Sequence, residues 1–187
     1  MANVSQLENI QLQEKSLFGN IYKRGDYMSK LNKALFSSKD QTWETPIDFF
    51  NKLDSIFKFE LDVAASDDNH KCDKYYTEET DGLAQDWKGV CWMNPPYGRH
   101  QIKWIEKASM EADKGATVVC LIPARPDTKV WHNIIFPKAS CIVFIKGRLK
   151  FGGSKDAAPF PSALIVFGDI TKEQEEALRE FGAVIKK

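Results

Sequence analysis

The chain has 187 residues, 43% hydrophobic and 28% charged, with a formal net charge of zero. That length fits one α/β domain, and the composition excludes a chain that is disordered throughout. No apolar run approaches the roughly 20 residues that span a bilayer, and the opening Met1-Ala2-Asn3-Val4-Ser5-Gln6 lacks the basic and apolar regions of a signal peptide, so the sequence reads as cytoplasmic.

Residues 1–35 are rich in Gln, Asn, Lys and Ser without a strong period, and read as an arm dispensable for chemistry ahead of a domain over 36–187. Thr45-Pro46-Ile47-Asp48 is a helix start, with Thr at the N-cap, Pro at N1 and an acid in the first turn; the helix is predicted to reach about Ile56. Phe57 to Asp62 alternates apolar and polar as a strand does, and Val90–Met93 reads as a second, more buried strand. From Gln101 to about Lys114, Trp104, Ile105, Ala108 and Ala112 recur at helical spacing, and Gly115 supplies the stop. Strands are predicted over Thr117–Ile122, Cys141–Ile145 and Ser162–Phe167, with a short helix over Lys129–Ile135 between the first two. Thr171 caps a helix over Lys172–Phe181, and Val184-Ile185 forms a last edge strand. This βαβα alternation predicts an α/β fold with a mainly parallel sheet and helices on both faces.

The four cysteines form no CxxC pair, and three lie in apolar strand-like runs where a thiol packs as a small hydrophobe; neither a disulfide nor a metal site is expected. The zero net charge conceals a division. Between Asp40 and Val90 there are 13 acidic and 5 basic residues, whereas between Tyr97 and Lys155 there are 11 basic and 4 acidic. The basic half is the candidate face for phosphates.

The strand Val90–Met93 runs into Asn94-Pro95-Pro96-Tyr97-Gly98. Two prolines fix φ and donate no N–H, so the carbonyls of Asn94 and Pro95 can project together. An amino group has two hydrogens, and the Asn94 side-chain oxygen with the Pro95 carbonyl would take both. The nitrogen lone pair is then drawn out of conjugation and becomes nucleophilic, while Tyr97 stacks on the ring that carries the amine.

In order, Thr42-Trp43-Glu44-Thr45-Pro46, Leu61-Asp62-Val63-Ala64-Ala65-Ser66, Asp81-Gly82-Leu83, Asn94 to Gly98, Leu121-Ile122-Pro123-Ala124-Arg125 and Phe144 to Phe151 resemble the small phage-type (Dam-like) DNA N-6-adenine methyltransferases, over roughly residues 36–170. The resemblance implies a single-domain Rossmann-like fold, S-adenosylmethionine as methyl donor and DNA adenine as substrate. It implies Asn94, Pro95, Pro96 and Tyr97 as catalytic residues. It assigns Trp43, Thr45, Pro46, Asp62, Ala64, Ala65 and Asp81 to the cofactor, with Asp62 at a strand end facing the ammonium group. A paired adenine must be rotated out of the duplex to be reached, and Arg99, Arg125, Lys146, Arg148 and Lys150 would hold the phosphates. Asp62 to Ser66 carries no glycine, unlike most such cofactor loops, and the acid for the ribose stays open among Asp67, Asp68 and Asp73. Two rivals share the turn or the fold: a glutamine-amide protein methyltransferase, and a non-catalytic DNA-binding protein. Target sequence and oligomeric state are not legible.

Overall fold

A computed structural model describes residues 43–186; the arm predicted over 1–35 lies outside them. The described chain is organised around a six-stranded sheet of order β1-β2-β3-β5-β4-β6. The strands are β1 (Leu61–Asp62), β2 (Val90–Met93), β3 (Thr117–Pro123), β4 (Cys141–Ile145), β5 (Ser162–Phe167) and β6 (Gly182–Lys186). Strands β1, β2 and β3 pair in parallel, while β5 is antiparallel to both β3 and β4, and β6 is antiparallel to β4. Four strands therefore point one way, as the alternation predicts, but β5 inserts between β3 and β4 in reverse and makes the sheet mixed.

Alternation along the strands builds two cores. Trp92, Val119, Leu121, Leu164 and Val166 face one side with α1 (Ile47–Phe57) and α4 (Lys172–Leu178), through Phe50, Leu53, Phe57 and Leu178. Cys91, Met93, Val118, Cys120, Ala163, Ile165 and Phe167 face the other with α2 (Gln101–Asp113), through Ile105 and Ala108. That side also takes Trp131 and Ile135 from a π-helical turn, Trp131–Ile135, that runs into α3 (Phe136–Lys138). Residues i and i+2 share a face of a strand, so a run such as Val118 to Ile122 supplies both cores at once. All four cysteines are buried. Burial pushes the thiols up, to about 12 for Cys72 and Cys91 and about 11 for Cys141, so they pack as apolar groups.

Local departures from the expected elements have identifiable causes. The strand predicted from Phe57 shrinks to Leu61–Asp62 because Lys58 takes a left-handed conformation at the helix end, φ 57°, and the Phe59 N–H bonds to Asp54 Oδ1 at 2.8 Å. Thr171 does cap α4, in a reciprocal capping box with Gln174. Thr45 does not cap α1: Pro46 occupies the N-cap, with no side-chain bond there. No described helix is long and apolar enough to cross a membrane.

Because β1 to β4 are codirectional, their carboxyl ends lie along one edge of the sheet, where ligands of open α/β sheets bind. That edge carries Asp62, Asn94, the loop after β3 and the loop after β4.

Candidate active site

The carboxyl ends of β1 and β2 border a cavity of about 620 Å³, within the range of small-molecule sites. Trp43, Thr45, Asp62, Ala64, Ala65 and Asp81 all line it, as do Asn94 and Pro96. Pro46 does not, since it starts α1, and neither do Pro95 and Tyr97, which are buried in the turn.

Asp62 is 3% exposed; its carboxylate accepts the Lys71 N–H at 3.1 Å and the Ala64 N–H at 3.3 Å. Desolvation pushes its carboxyl up to about 6, against the pull of those two donors and of the nearby Lys71 charge. Lys71 in turn reaches Glu44 across the cavity wall, Nζ to Oε1 at 2.9 Å. A short stretch lies beside β1: Asp62 and Tyr75 form a single parallel bridge, flanked by bonds from Asp62 N to Lys74 O and from Tyr76 N to Asp62 O, each 2.9 Å. Of the three acids weighed for the ribose, only Asp67 lines the cavity, and it accepts from the Tyr75 hydroxyl at 3.0 Å. Glu78 and Glu79, just past the bridge, line the wall as well.

Asp81 sits at φ 49° in a turn pressed against β1, and the neighbouring Gly82 carbonyl accepts from Trp87 Nε1 at 2.8 Å. A Cβ at Gly82 would lie 2.2 Å from the Val63 carbonyl oxygen, and backbone cannot yield cheaply. Gly82→Ala is therefore expected to destabilise the protein by about 1–3 kcal/mol. A thermal melt should register this as a drop of roughly 2–4 °C per kcal/mol.

At β2's end the Asn94 amide is held from behind. Its Nδ2 donates to the Trp43 carbonyl at 2.6 Å and to Thr45 Oγ1 at 3.0 Å, while Oδ1 is buried with no partner among the described residues. Buried polar atoms are nearly always satisfied. Five described side-chain atoms are not, and four of them belong to this sheet edge: Asn94 Oδ1, Tyr97 Oη, Gln101 Nε2 and Ser162 Oγ. Of these four residues only Asn94 lines the cavity, so its unused acceptor is the one a ligand there could meet.

Tyr97 is 8% exposed and enclosed by aromatic rings. Trp43 stacks on it at 6.5 Å between centroids, and Phe151 and Phe160 meet it edge-on at 6.2 and 5.6 Å. The ring expected to stack on a base is thus already stacked in this conformation, on Trp43, with Phe151 and Phe160 packed edge-on beside it. Arg99, Arg125, Lys146, Arg148 and Lys150 are all exposed, on the segments that follow β2, β3 and β4. Topology thus gathers them at the same end of the sheet as Asn94.

The profile of the DNA N-6-adenine-methyltransferase (Dam) family matches residues 31–180. The chain belongs to that family. As a Dam-family member it is a DNA adenine-N6 methyltransferase, an activity that draws on S-adenosylmethionine as methyl donor. It is similar to the DNA N-6-adenine-methyltransferase of Haemophilus phage HP1 (strain HP1c1), 34% identical over 140 residues that make up 70% of this chain and 80% of that protein. It also resembles the protein of the same name from Escherichia phage T1, 34% identical over 111 residues, 57% of this chain and 45% of that one. The motifs read as resembling this family that border the cavity are Thr42 to Pro46, Leu61 to Ser66, Asp81 to Leu83 and Asn94 to Gly98. Lys71, Tyr76 and Trp104 also line the cavity but stand in none of those motifs, and only their packing reveals them.

Proposed function

We propose that S-adenosylmethionine is held in the 620 Å³ cavity and that an adenine extruded from DNA presents its amino group to Asn94 and Pro95 at the cavity's edge. The observation that carries this reading is the Asn94 amide: its two hydrogens are engaged by Trp43 and Thr45, which leaves both lone pairs of a buried Oδ1 unused beside the cavity.

The residues fit the donor's chemistry. Asp62 and the acids Asp81, Glu78 and Glu79 suit a cationic ligand, and Trp43 and Trp104 offer aromatic faces to a sulfonium or an adenine ring. When bound, S-adenosylmethionine supplies an electrophilic methyl carbon. The chain's part is to align the amine and to accept its hydrogens at Asn94 Oδ1 and the Pro95 carbonyl. No strong base is required, because a methylated ammonium is acidic enough to lose its proton to water. Tyr97 is not that base: burial holds its phenol well above the ordinary range. For Tyr97 to stack on the base, the Trp43 ring that lies parallel to it at 6.5 Å must give way. The glutamine-amide reading loses ground to the family match.

The direct experiment incubates plasmid DNA with the protein and labelled cofactor, then hydrolyses the DNA to nucleosides. Label in N-6-methyladenine is the expected result; label in cytosine or in protein would refute the reading. The phosphate contacts have a separate test. Replacing Lys146, Arg148 and Lys150 together with glutamine should weaken DNA binding regardless of sequence and reduce the slope of log affinity against log salt by about 3, near one per lost contact. Fluorescence anisotropy titrations over a salt series measure it, and an unchanged slope would remove this loop from the interface.

A further inference from the structure

The geometry points to Thr45 as a positioning residue: the Trp43 carbonyl selects which end of the Asn94 amide faces the reacting nitrogen, and the Thr45 hydroxyl holds the amide there. This rests on the reading of Asn94 given above and extends it to the residue behind it.

An asparagine side chain is nearly symmetric in shape and opposite in chemistry at its two ends. Turned one way it offers an acceptor to an incoming amino group. Turned the other way it offers N–H donors, which repel the amine's own hydrogens. Something must set the choice, and for a residue at the end of a strand the backbone does not. In this chain the choice is made from behind. The Trp43 carbonyl can only accept, so Nδ2 belongs on its side, at 2.6 Å. Thr45 Oγ1 takes the second hydrogen at 3.0 Å, and Oδ1 is left buried and free.

Thr45 carries two marks of this role. It stands one residue ahead of Pro46, the N-cap of α1, so its hydroxyl is not spent on the helix. It is 3% exposed, so its hydroxyl has no bulk water to fall back on, and the bond to Asn94 spans 49 positions of sequence. Trp43 acts through its backbone, which leaves Thr45 as the one half of the clamp that a side-chain substitution removes.

The test compares Thr45→Val and Thr45→Ser with the full-length protein, in single-turnover methyl transfer to plasmid DNA and in calorimetric titration with S-adenosylmethionine. Valine keeps the shape and deletes the acceptor. Its transfer rate should fall roughly tenfold to a hundredfold, the scale of one lost buried hydrogen bond, while cofactor affinity stays within about twofold of the original. Serine restores the hydroxyl and should recover the rate to within about threefold. Retained cofactor binding also certifies that the valine variant has folded. If valine weakens cofactor binding by as much as it slows transfer, the hydroxyl serves the cofactor and the inference fails; an unchanged rate in valine, or no recovery in serine, overturns it as well. An active Asn94→Ala protein would instead sink the underlying reading of Asn94, an outcome distinct from all of these.

A second arm uses pH. In Asn94→Asp an ionised carboxylate would set an oxygen against the Trp43 carbonyl, whereas the protonated acid could donate there and keep its carbonyl oxygen forward. The transfer rate of Asn94→Asp is therefore expected to rise as pH falls, and a rate that rises with pH would count against a clamp built from acceptors.

Discussion

Asn94→Ala is expected to abolish methyl transfer while leaving the cofactor site intact. Alanine removes the unpartnered Oδ1 and, with it, one of the two acceptors proposed to make the adenine nitrogen nucleophilic. Loss of one preorganised polar group aimed at developing charge slows enzymes by about 10²–10³-fold. Here the loss also frees Trp43 O and Thr45 Oγ1 from their partner and loosens the turn, so a reduction of at least about 10³-fold is expected. Asp62, Ala64 and Asp81, the residues proposed for the cofactor, line the cavity without a hydrogen bond to Asn94 and keep their places. Tritium transfer from labelled cofactor to DNA, measured beside calorimetric cofactor titration, separates the two effects. Retained transfer would remove Asn94 from the mechanism.

The second large effect concerns Asp62 and acidity. Its carboxyl is raised to about 6 by desolvation, so the folded protein binds a proton there more tightly than the unfolded chain does. By linkage, this group's contribution to stability is complete below its ordinary value, near 3.8, and is lost as pH rises through about 6. Ionisation at neutral pH thus costs the ligand-free fold about 3 kcal/mol at most. A cationic ammonium group needs the ionised form, so cofactor affinity should run the opposite way. It should be level above about pH 7 and fall by up to tenfold per unit below about 6. Asp62→Asn should flatten that profile and weaken binding by roughly 30-fold or more, the scale of a buried charged contact. Calorimetry over the same pH range checks both, and a wild-type affinity that holds steady down to about pH 5 would exclude Asp62 as the partner of the ammonium group.

The strands and the Asn94 turn were legible because their signals are local. Val90–Met93 and Ser162–Phe167 announce themselves by apolar continuity, and Pro95-Pro96 constrains its own backbone whatever surrounds it. What escaped depends on partners distant in sequence. The insertion of β5 between β3 and β4 is decided by which edge Ser162–Phe167 can pair with, a matter of the whole sheet. Thr45 reads as a helix cap because its following Pro46 and Asp48 fit one, but Pro46 takes the cap position and the Thr45 hydroxyl meets Asn94 instead. Tyr97 is covered by Phe151 and Phe160, far along the chain, which no local pattern predicts. The cavity wall at Lys71, Gly82 and Trp104 is assembled from three segments without a shared motif.

The acid-rich wall has a consequence for turnover. Glu44, Asp62, Asp67, Glu78, Glu79 and Asp81 surround the cavity, with Lys71 the one basic side chain among the described residues that line it. Such a field favours a ligand carrying positive charge on sulfur over the same molecule after that charge has been spent. With the donor in this cavity as proposed, the thioether left behind by the reaction would be the weaker tenant, so the acid-rich wall would incline the spent donor to leave and a fresh one to take its place.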